Sequence, residues 1–156
     1  MTISSVALAF LLVLSVSQAD ANADRQFVNG TRSAARAPLP FSDAVLVGDT
    51  LYIAGHIGID PKTDRAAEDP RIEAKFVMDR VKATVESAGL TMDDMVTMQI
   101  MCTDLGLYDT FNDVYRTYFQ YGFPARAFLG ANSLLRGAHF EVLGIAVRRH
   151  GKHQLR

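Results

Sequence analysis

Apolar side chains recur every three or four positions in two long segments of the chain, and this spacing predicts amphipathic helices. The first segment covers residues 69–89, with Asp69 as N-cap, Pro70 in the first turn and Gly89 as the C-terminal stop. The second covers about residues 108–121 and ends before a glycine and a proline. The sequence therefore predicts two helices, each with one face to bury.

Shorter apolar segments flank these helices, and their alternation predicts β-strands. The segment "AVLVGDTLYIAGHIG" predicts two strands joined by a turn at Gly48-Asp49, and residues 95–103 predict a third. After the second helix, two extended segments are joined by a turn at Arg136-Gly137. The predicted order is ββαβαββ, an α+β fold in which a single mixed β-sheet carries both helices on one face.

The last predicted strand, "FEVLGIAV", is apolar on both faces apart from one carboxylate. Glu141, Leu143, Ile145 and Val147 share the face that the helices leave open. Because exposure of such an apolar face to water is unfavourable, we expect further copies of the chain to cover it. A lone acid among apolar residues also needs a partner, and Arg126, expected on the neighbouring strand, is the candidate.

Composition bounds the class of protein. The chain has 156 residues, a formal net charge of -1 and 49% hydrophobic residues, which fits one compact domain without a basic face for nucleic acid. Its single cysteine, Cys102, lies in a predicted strand, so we expect a buried, inert thiol without a disulfide. The histidines lack ligand-like spacing with carboxylates, so no metal site is expected.

The two ends of the chain differ in composition from its centre. Residues 1–23 are predicted to be a signal peptide, because an apolar run too short to span a bilayer comfortably precedes an Ala-Asn-Ala cleavage site. We then expect export to the periplasm or medium, with no stable membrane anchor after cleavage. A buried N-terminal helix or an uncleaved anchor is the alternative, and without a signal the protein is cytoplasmic. Residues 24–39 are expected to be a loosely ordered lead-in, 40–150 the domain, and 151–156 a solvated basic tail.

Several segments together carry a resemblance: "FSDAVLVGDTLYIAGHIGIDPKT", "VESAGLTMDDMV", "FNDVYRTYF", "PAR" and "GAHFEVLGIAVRR". In this order and spacing the sequence resembles the reactive intermediate deaminase (RidA/YjgF) family. The resemblance implies a chorismate-mutase-like fold and a homotrimer with ligand clefts between subunits. It also implies hydrolysis of reactive 2-imino or enamino acids to 2-keto acids and ammonia, without a metal or organic cofactor.

The resemblance also implies roles for particular residues. Arg126 falls on the position that binds the substrate carboxylate, Glu141 on the one that positions water, and Asn112 on the asparagine of the second helix. The other positions implied to bind substrate lie in or beside the cleft, and most depart from the family's usual residues: Phe41, Gly55, His56, Ala127 and Phe128. These departures bear on substrate size and rate more than on the type of reaction.

The chemistry of the two charged residues suits an imino acid. A planar guanidinium at Arg126 can hold a carboxylate through two hydrogen bonds, and Glu141 can hydrogen-bond an attacking water. Simpler roles stay open: Arg126 as a structural partner of Glu141, Asn112 as a helix-surface amide, and His56 as a structural histidine. At the level of the protein, the alternative is a non-catalytic binder of small carboxylates, or a holdase-like protein, on the same trimer. A ribonuclease activity has little support, because the basic residues cluster only at the terminus.

Overall fold

The computed structural model describes residues 25–29 and 39–150. The predicted signal peptide, most of the lead-in and the basic tail lie outside the described residues. The elements in chain order are β1 (Arg25–Val28), β2 (Ala44–Val47), β3 (Thr50–Ile57), β4 (Ile59–Asp60), β5 (Arg65–Ala66), α1 (Pro70–Ser87), β6 (Met95–Cys102), α2 (Tyr108–Tyr115), β7 (Ala125–Gly130) and β8 (Phe140–Val147). Single 3₁₀ turns lie at Met92–Asp94, Leu105–Leu107, Arg116–Tyr118 and Leu135–Gly137.

Six of the strands form one mixed sheet in the order β1-β2-β3-β8-β6-β7, and β4 and β5 form a small separate hairpin. Strands β6 and β7 pair in parallel, whereas the other neighbours in the large sheet are antiparallel. The predicted α+β fold and the order ββαβαββ are confirmed from β2 to β8. The lead-in was expected to be loosely ordered, but its residues 25–28 form β1, because they pair along the free edge of β2.

Local signals in the sequence explain the ends of α1. The Asp69 carboxylate accepts a hydrogen bond of 2.8 Å from the backbone N–H of Arg71, and Pro70 occupies the first turn. Gly89 follows the helix at φ = +73°, a conformation that favours glycine. The predicted helix is therefore confirmed at both ends.

The second helix is shorter than its periodicity predicted. It ends at Tyr115 and tightens into a 3₁₀ turn, and Phe119 is already extended. This exit lets Phe119 and Phe123 pack on the ring of Tyr115, at centroid distances of 4.8 and 6.1 Å. Aromatic packing thus replaces the last turn of the predicted helix.

The hydrophobic core lies between the two helices and one face of the sheet. Its most buried members come from α1, α2 and the central strands, among them Val77, Met78, Val81, Phe111, Met98, Ile100, Phe140 and Val142. Cys102 is buried there too, and burial raises the pKa of its thiol, so the thiol stays protonated at neutral pH. The prediction of a buried cysteine is confirmed.

The opposite face of the sheet remains open and largely apolar. Phe27, Tyr52 and Leu129 are about half exposed or more on it, and Leu143 and Ile145 are half-buried beside them. The predicted apolar second face of β8 is therefore confirmed, and we call this surface the open face. None of the helices in the described parts of the chain is long and apolar enough to cross a membrane.

Candidate functional site

A pocket of about 320 Å³ lies where β7 begins, beside α2. Arg126 is the second residue of this edge strand, and its register opposite Met98 turns its side chain to the helix face of the sheet. Because β7 ends the sheet, the guanidinium emerges next to α2 rather than beneath it. The pocket is lined by Tyr108, Asn112, Tyr115, Arg116, Phe123, Pro124 and Arg126.

Three side chains of α2 hold the guanidinium of Arg126 in place. Its Nη1 donates a hydrogen bond of 2.7 Å to Oδ1 of Asn112, and its Nη2 donates one of 3.2 Å to the hydroxyl of Tyr108. Its central carbon lies 4.7 Å from the centroid of the Tyr115 ring, a cation–π contact. These residues are three and four positions apart, so they share one face of the helix.

The positive charge of Arg126 has no acidic partner in the described parts of the chain. None of the ion pairs among residues 25–29 and 39–150 includes it. Its remaining N–H groups are therefore available in the pocket. A fixed, half-buried guanidinium without a carboxylate is suited to bind the carboxylate of a ligand in a planar, paired geometry.

The neutral state of Tyr115 preserves this arrangement. Burial raises the pKa of its phenol to about 12, and the nearby charge of Arg126 only partly opposes that effect. The ring is 4% exposed, and its hydroxyl has no hydrogen-bond partner among the described residues. Tyr115 therefore supports Arg126 as an uncharged ring throughout the physiological pH range.

Glu141 lies elsewhere, on the open face. It is the second residue of β8 and is paired with Met101 on one side and Ile57 on the other. Its carboxylate lies over Gly55, where a β-bulge shifts the register of β3: a Cβ on Gly55 would be 2.0 Å from Oε1 of Glu141. Among the described residues no hydrogen bond or ion pair of Glu141 is found. The carboxylate is thus placed by a glycine that makes room for it.

The expected pairing of Arg126 with Glu141 on neighbouring strands is wrong within one chain. Strand β6 lies between β7 and β8, because the connection through α2 places β7 parallel to β6 at the edge, and β8 inserts between β3 and β6. The two side chains also point to opposite faces of the sheet. The sheet itself therefore separates the carboxylate of Glu141 from the guanidinium of Arg126.

The other predicted site residues divide between these two locations. Phe128 lies on the helix side, with its ring 5.1 Å from that of Tyr108, and forms an aromatic wall behind Arg126. Ala127 lies opposite Gln99 on the open face. Phe41 is 52% exposed and lines a groove of about 580 Å³ that also includes Ala54, the neighbour of Gly55.

His56 belongs to neither location. It is 3% exposed and lies under α1, where its Nε2 is 3.2 Å from the hydroxyl of Thr84. The prediction that His56 contacts substrate does not fit this position, because its side chain points into the helix–sheet core. Its simpler role, as a structural histidine, does fit.

Sequence reasoning missed five members of the Arg126 pocket: Tyr108, Tyr115, Arg116, Phe123 and Pro124. Tyr108 and Tyr115 lie four residues before and three residues after Asn112, so helical spacing around the predicted asparagine was an available signal. Arg116 follows Tyr115 directly and turns into the pocket because the helix tightens there. Among residues 25–29 and 39–150, no group of three or more His, Cys, Asp or Glu side chains could hold a metal ion.

Comparison with known proteins agrees with the fold and the motifs. A family model described as Endoribonuclease L-PSP matches residues 31–148. A protein of Dermatophagoides farinae named 2-iminobutanoate/2-iminopropanoate deaminase is 37% identical over 109 residues, which is 69% of this chain and 85% of that one.

Solved structures are similar as well. The RidA structure from the Antarctic bacterium Psychrobacter superimposes with a TM-score of 0.71 at 32% identity, over 79% of this chain and 99% of that one. E. coli TdcF, solved with bound serine, gives a TM-score of 0.72 at 28% identity, over 80% of this chain and 99% of that one. Fold, motifs and matched length together show that the chain belongs to the RidA/YjgF family, whose family model is described as Endoribonuclease L-PSP.

Proposed function

We propose that this protein hydrolyses reactive 2-imino and enamino acids to 2-keto acids and ammonia. The observation that carries the proposal is Arg126, a guanidinium that α2 fixes in a pocket without an acidic partner among the described residues. Relatives named 2-iminobutanoate/2-iminopropanoate deaminase support the same reaction class.

Arg126 binds the α-carboxylate of the substrate. The hydrogen bonds from Nη1 to Asn112 and from Nη2 to Tyr108 fix the plane of the guanidinium, so a carboxylate bound to its remaining N–H groups has a defined orientation. The imine carbon is attached directly to that carboxylate and is fixed with it. Orientation of this kind is a large part of what an enzyme can supply to a hydrolysis.

Glu141 positions and activates the water. The oxygen of the water adds to the imine carbon and forms a C–O bond while Glu141 accepts a proton. Glu141 returns its proton to the nitrogen, and the new hydroxyl then loses its proton to the nitrogen as the C–N bond breaks, so that ammonia leaves and the carbonyl of the keto acid forms. One water is consumed for each imino acid, and no other reactant is needed.

The separation of Arg126 and Glu141 requires that two copies of the chain build one site. We propose a homotrimer in which the open face is covered by neighbouring subunits, with each cleft combining Arg126 of one subunit and Glu141 of another. The exposed apolar side chains Phe27, Tyr52 and Leu129 support burial of this face in an oligomer. Gly55 and Phe41 would enter the cleft together with Glu141.

A second function is a non-catalytic binder of small carboxylates. It is favoured by one observation: the Arg126 pocket is complete within a single chain, whereas Glu141 is not part of it. Such a binder would hold 2-keto acids through Arg126 but would not accelerate imine hydrolysis. Binding without turnover therefore separates the two functions.

The test measures keto acid formation from imino acids that an amino-acid oxidase generates in the assay, relative to spontaneous hydrolysis. We expect Arg126→Ala to lower kcat/KM on the order of 100-fold, because orientation and charge are both lost. Arg126→Lys should retain part of the activity, since it keeps the charge without the planar fork.

Arg65→Gln is the matched control, because Arg65 is exposed on β5, in the small hairpin outside the large sheet, and lines neither pocket. Circular dichroism and thermal unfolding check that each variant is folded. Equal activity of wild type and a folded Arg126→Ala variant would refute the proposal.

We also propose that residues 1–23 are a signal peptide and that the mature protein is exported. The apolar run and the Ala-Asn-Ala sequence support this. The mass of the protein isolated from its native host tests it.

A further inference from the structure

Asn112 binds two arginines rather than one. Its side-chain oxygen accepts the hydrogen bond from Arg126, and its backbone carbonyl accepts one of 3.1 Å from Nε of Arg116. Arg116 lies four residues further along the chain, in the first position of the 3₁₀ turn. Arg116, which is exposed, and Arg126, which is half-buried, both line the same pocket of about 320 Å³.

Arg116 also lacks an acidic partner among the described residues. By contrast, Arg71, Arg136 and Arg149 each form an ion pair of 2.6 to 2.8 Å with an aspartate. Because the Nε–H of Arg116 donates its hydrogen bond to the backbone carbonyl of Asn112, its two Nη groups remain for a ligand. The pocket therefore holds two positive charges and no negative one, in a chain whose formal net charge is -1.

Two arginines that line one pocket without a carboxylate give it a positive potential, which favours an anionic ligand. A single α-carboxylate satisfies Arg126 alone. A ligand with a second anionic group, placed toward Arg116, neutralises both guanidiniums. A pocket of this volume is at the small end of the range for ligand sites, so both anionic groups must belong to one compact molecule.

We propose that Arg116 is a specificity residue that selects 2-imino acids with a carboxylate in the side chain. This inference rests on the proposed function for its reaction: Arg126 binds the α-carboxylate and Arg116 the side-chain carboxylate, which takes no part in the chemistry. The aromatic residues Tyr108 and Phe123 line the same pocket. The chemical class is that of compact dicarboxylic imino acids, and hydrolysis yields the matching dicarboxylic keto acids.

Binding of keto acids tests the selectivity without any need for turnover. Calorimetry compares 2-oxoglutarate and oxaloacetate with 2-oxobutanoate, which lacks the second carboxylate, and with 2-oxo-3-phenylpropanoate, which tests the aromatic walls. We expect the dicarboxylates to bind wild type on the order of tenfold more tightly than 2-oxobutanoate, as one charge-assisted contact allows. Arg116→Gln should remove this preference, because it should lower the affinity for the dicarboxylates far more than the affinity for 2-oxobutanoate.

Two further variants sharpen the test. Arg116→Lys should keep part of the preference, because the charge remains, and Arg65→Gln should keep all of it. Imino acids generated from glutamate and from 2-aminobutanoate should show the same pattern in kcat/KM. We expect Arg116→Gln to lower kcat/KM much more for the dicarboxylic substrate than for the monocarboxylic one, whereas a merely structural role would lower both equally.

Three results would overturn the proposal: no preference for dicarboxylates in wild type, a preference that survives Arg116→Gln, or tighter binding of 2-oxo-3-phenylpropanoate that is independent of Arg116. Absence of binding by every keto acid would overturn it as well. Selective, Arg116-dependent binding without imine hydrolysis would instead refute the proposed reaction and leave the assignment of Arg116 intact.

Discussion

Single residues of this protein fix the positions of its charged side chains. Asn112 is 9% exposed and fixes Arg126 and Arg116 from one position on α2. Gly55 acts by what it lacks: without a side chain it leaves room for the carboxylate of Glu141 over the bulge in β3. Arg126 and Glu141 were singled out from the sequence, since charged groups on apolar strands are conspicuous, whereas Asn112 and the roles of all three came from the family resemblance. Their partners were not predicted, because hydrogen bonds depend on side-chain positions that no pattern encodes.

Gly55→Ala tests the placement of Glu141. The added Cβ would lie 2.0 Å from Oε1, so the carboxylate must turn aside. Because only the flexible end of a side chain has to move, we expect little change in thermal stability. The kcat/KM for imine hydrolysis should fall about tenfold or more, since the displaced carboxylate of Glu141 no longer positions the attacking water.

Gly122→Ala is the control for that variant. A Cβ at position 122 meets nothing within 4 Å, and the glycine does not have a positive φ. It should retain wild-type activity and stability. Full activity in Gly55→Ala would argue against a role for Glu141 at its observed position.

Among the elements, β8 organises the molecule. It pairs with β3 and β6 in the centre of the sheet, and its two faces supply the core and the open face. Helices, hairpin turns and strand positions were predictable from the sequence, because caps, glycines and periodicity are local signals. The order of strands was not, since pairing between distant segments leaves no mark in the pattern of a single strand. This is why the sequence wrongly predicted that β7 and β8 are neighbouring strands.

The end of β8 is tied to the turn before β6 through one buried acid. Asp94 is 8% exposed, accepts two hydrogen bonds from Thr91 and receives one of 2.6 Å from Nε of Arg149. Burial opposes the charged form, but the bonds from Arg149 and Thr91 prevail and hold the pKa of Asp94 below its usual 3.8. The folded state is therefore stabilised by the ionised carboxylate.

We expect Asp94→Asn to lower the free energy of unfolding by about 1 to 3 kcal/mol at neutral pH, because buried hydrogen bonds to a charged group are lost. Since the folded pKa is depressed, the contribution of Asp94 is fully present above pH 3.8 and is lost as the pH falls through the lower folded value. The difference in the free energy of unfolding between wild type and variant should therefore become smaller below pH 3.8.

Urea unfolding at a fixed protein concentration, from neutral pH downward, measures that gap. Glu68→Gln is the control, because Glu68 is exposed just before the N-cap of α1. A gap that stays constant through the acidic range would contradict the assigned role of Asp94.

At the scale of the whole molecule, a single chain does not bring the two proposed catalytic residues together. Arg126 and Glu141 lie on opposite faces of one sheet, and the open face exposes Phe27, Tyr52 and Leu129. Both facts are explained if further copies cover that face and bring the two side chains into one cleft. The apolar second face of β8 could be predicted from the sequence, whereas the opposite orientation of the two charged residues required the strand order.

Complementation between inactive variants tests this central claim most directly. Arg126→Ala and Glu141→Gln are each expected to be inactive alone, and they are co-expressed so that mixed trimers form. In the proposed trimer each cleft draws Arg126 from one subunit and Glu141 from its neighbour, so random mixing should restore about a quarter of the wild-type imine hydrolysis per site. Mixed trimers that remain as inactive as the parent variants would contradict a site built from two subunits.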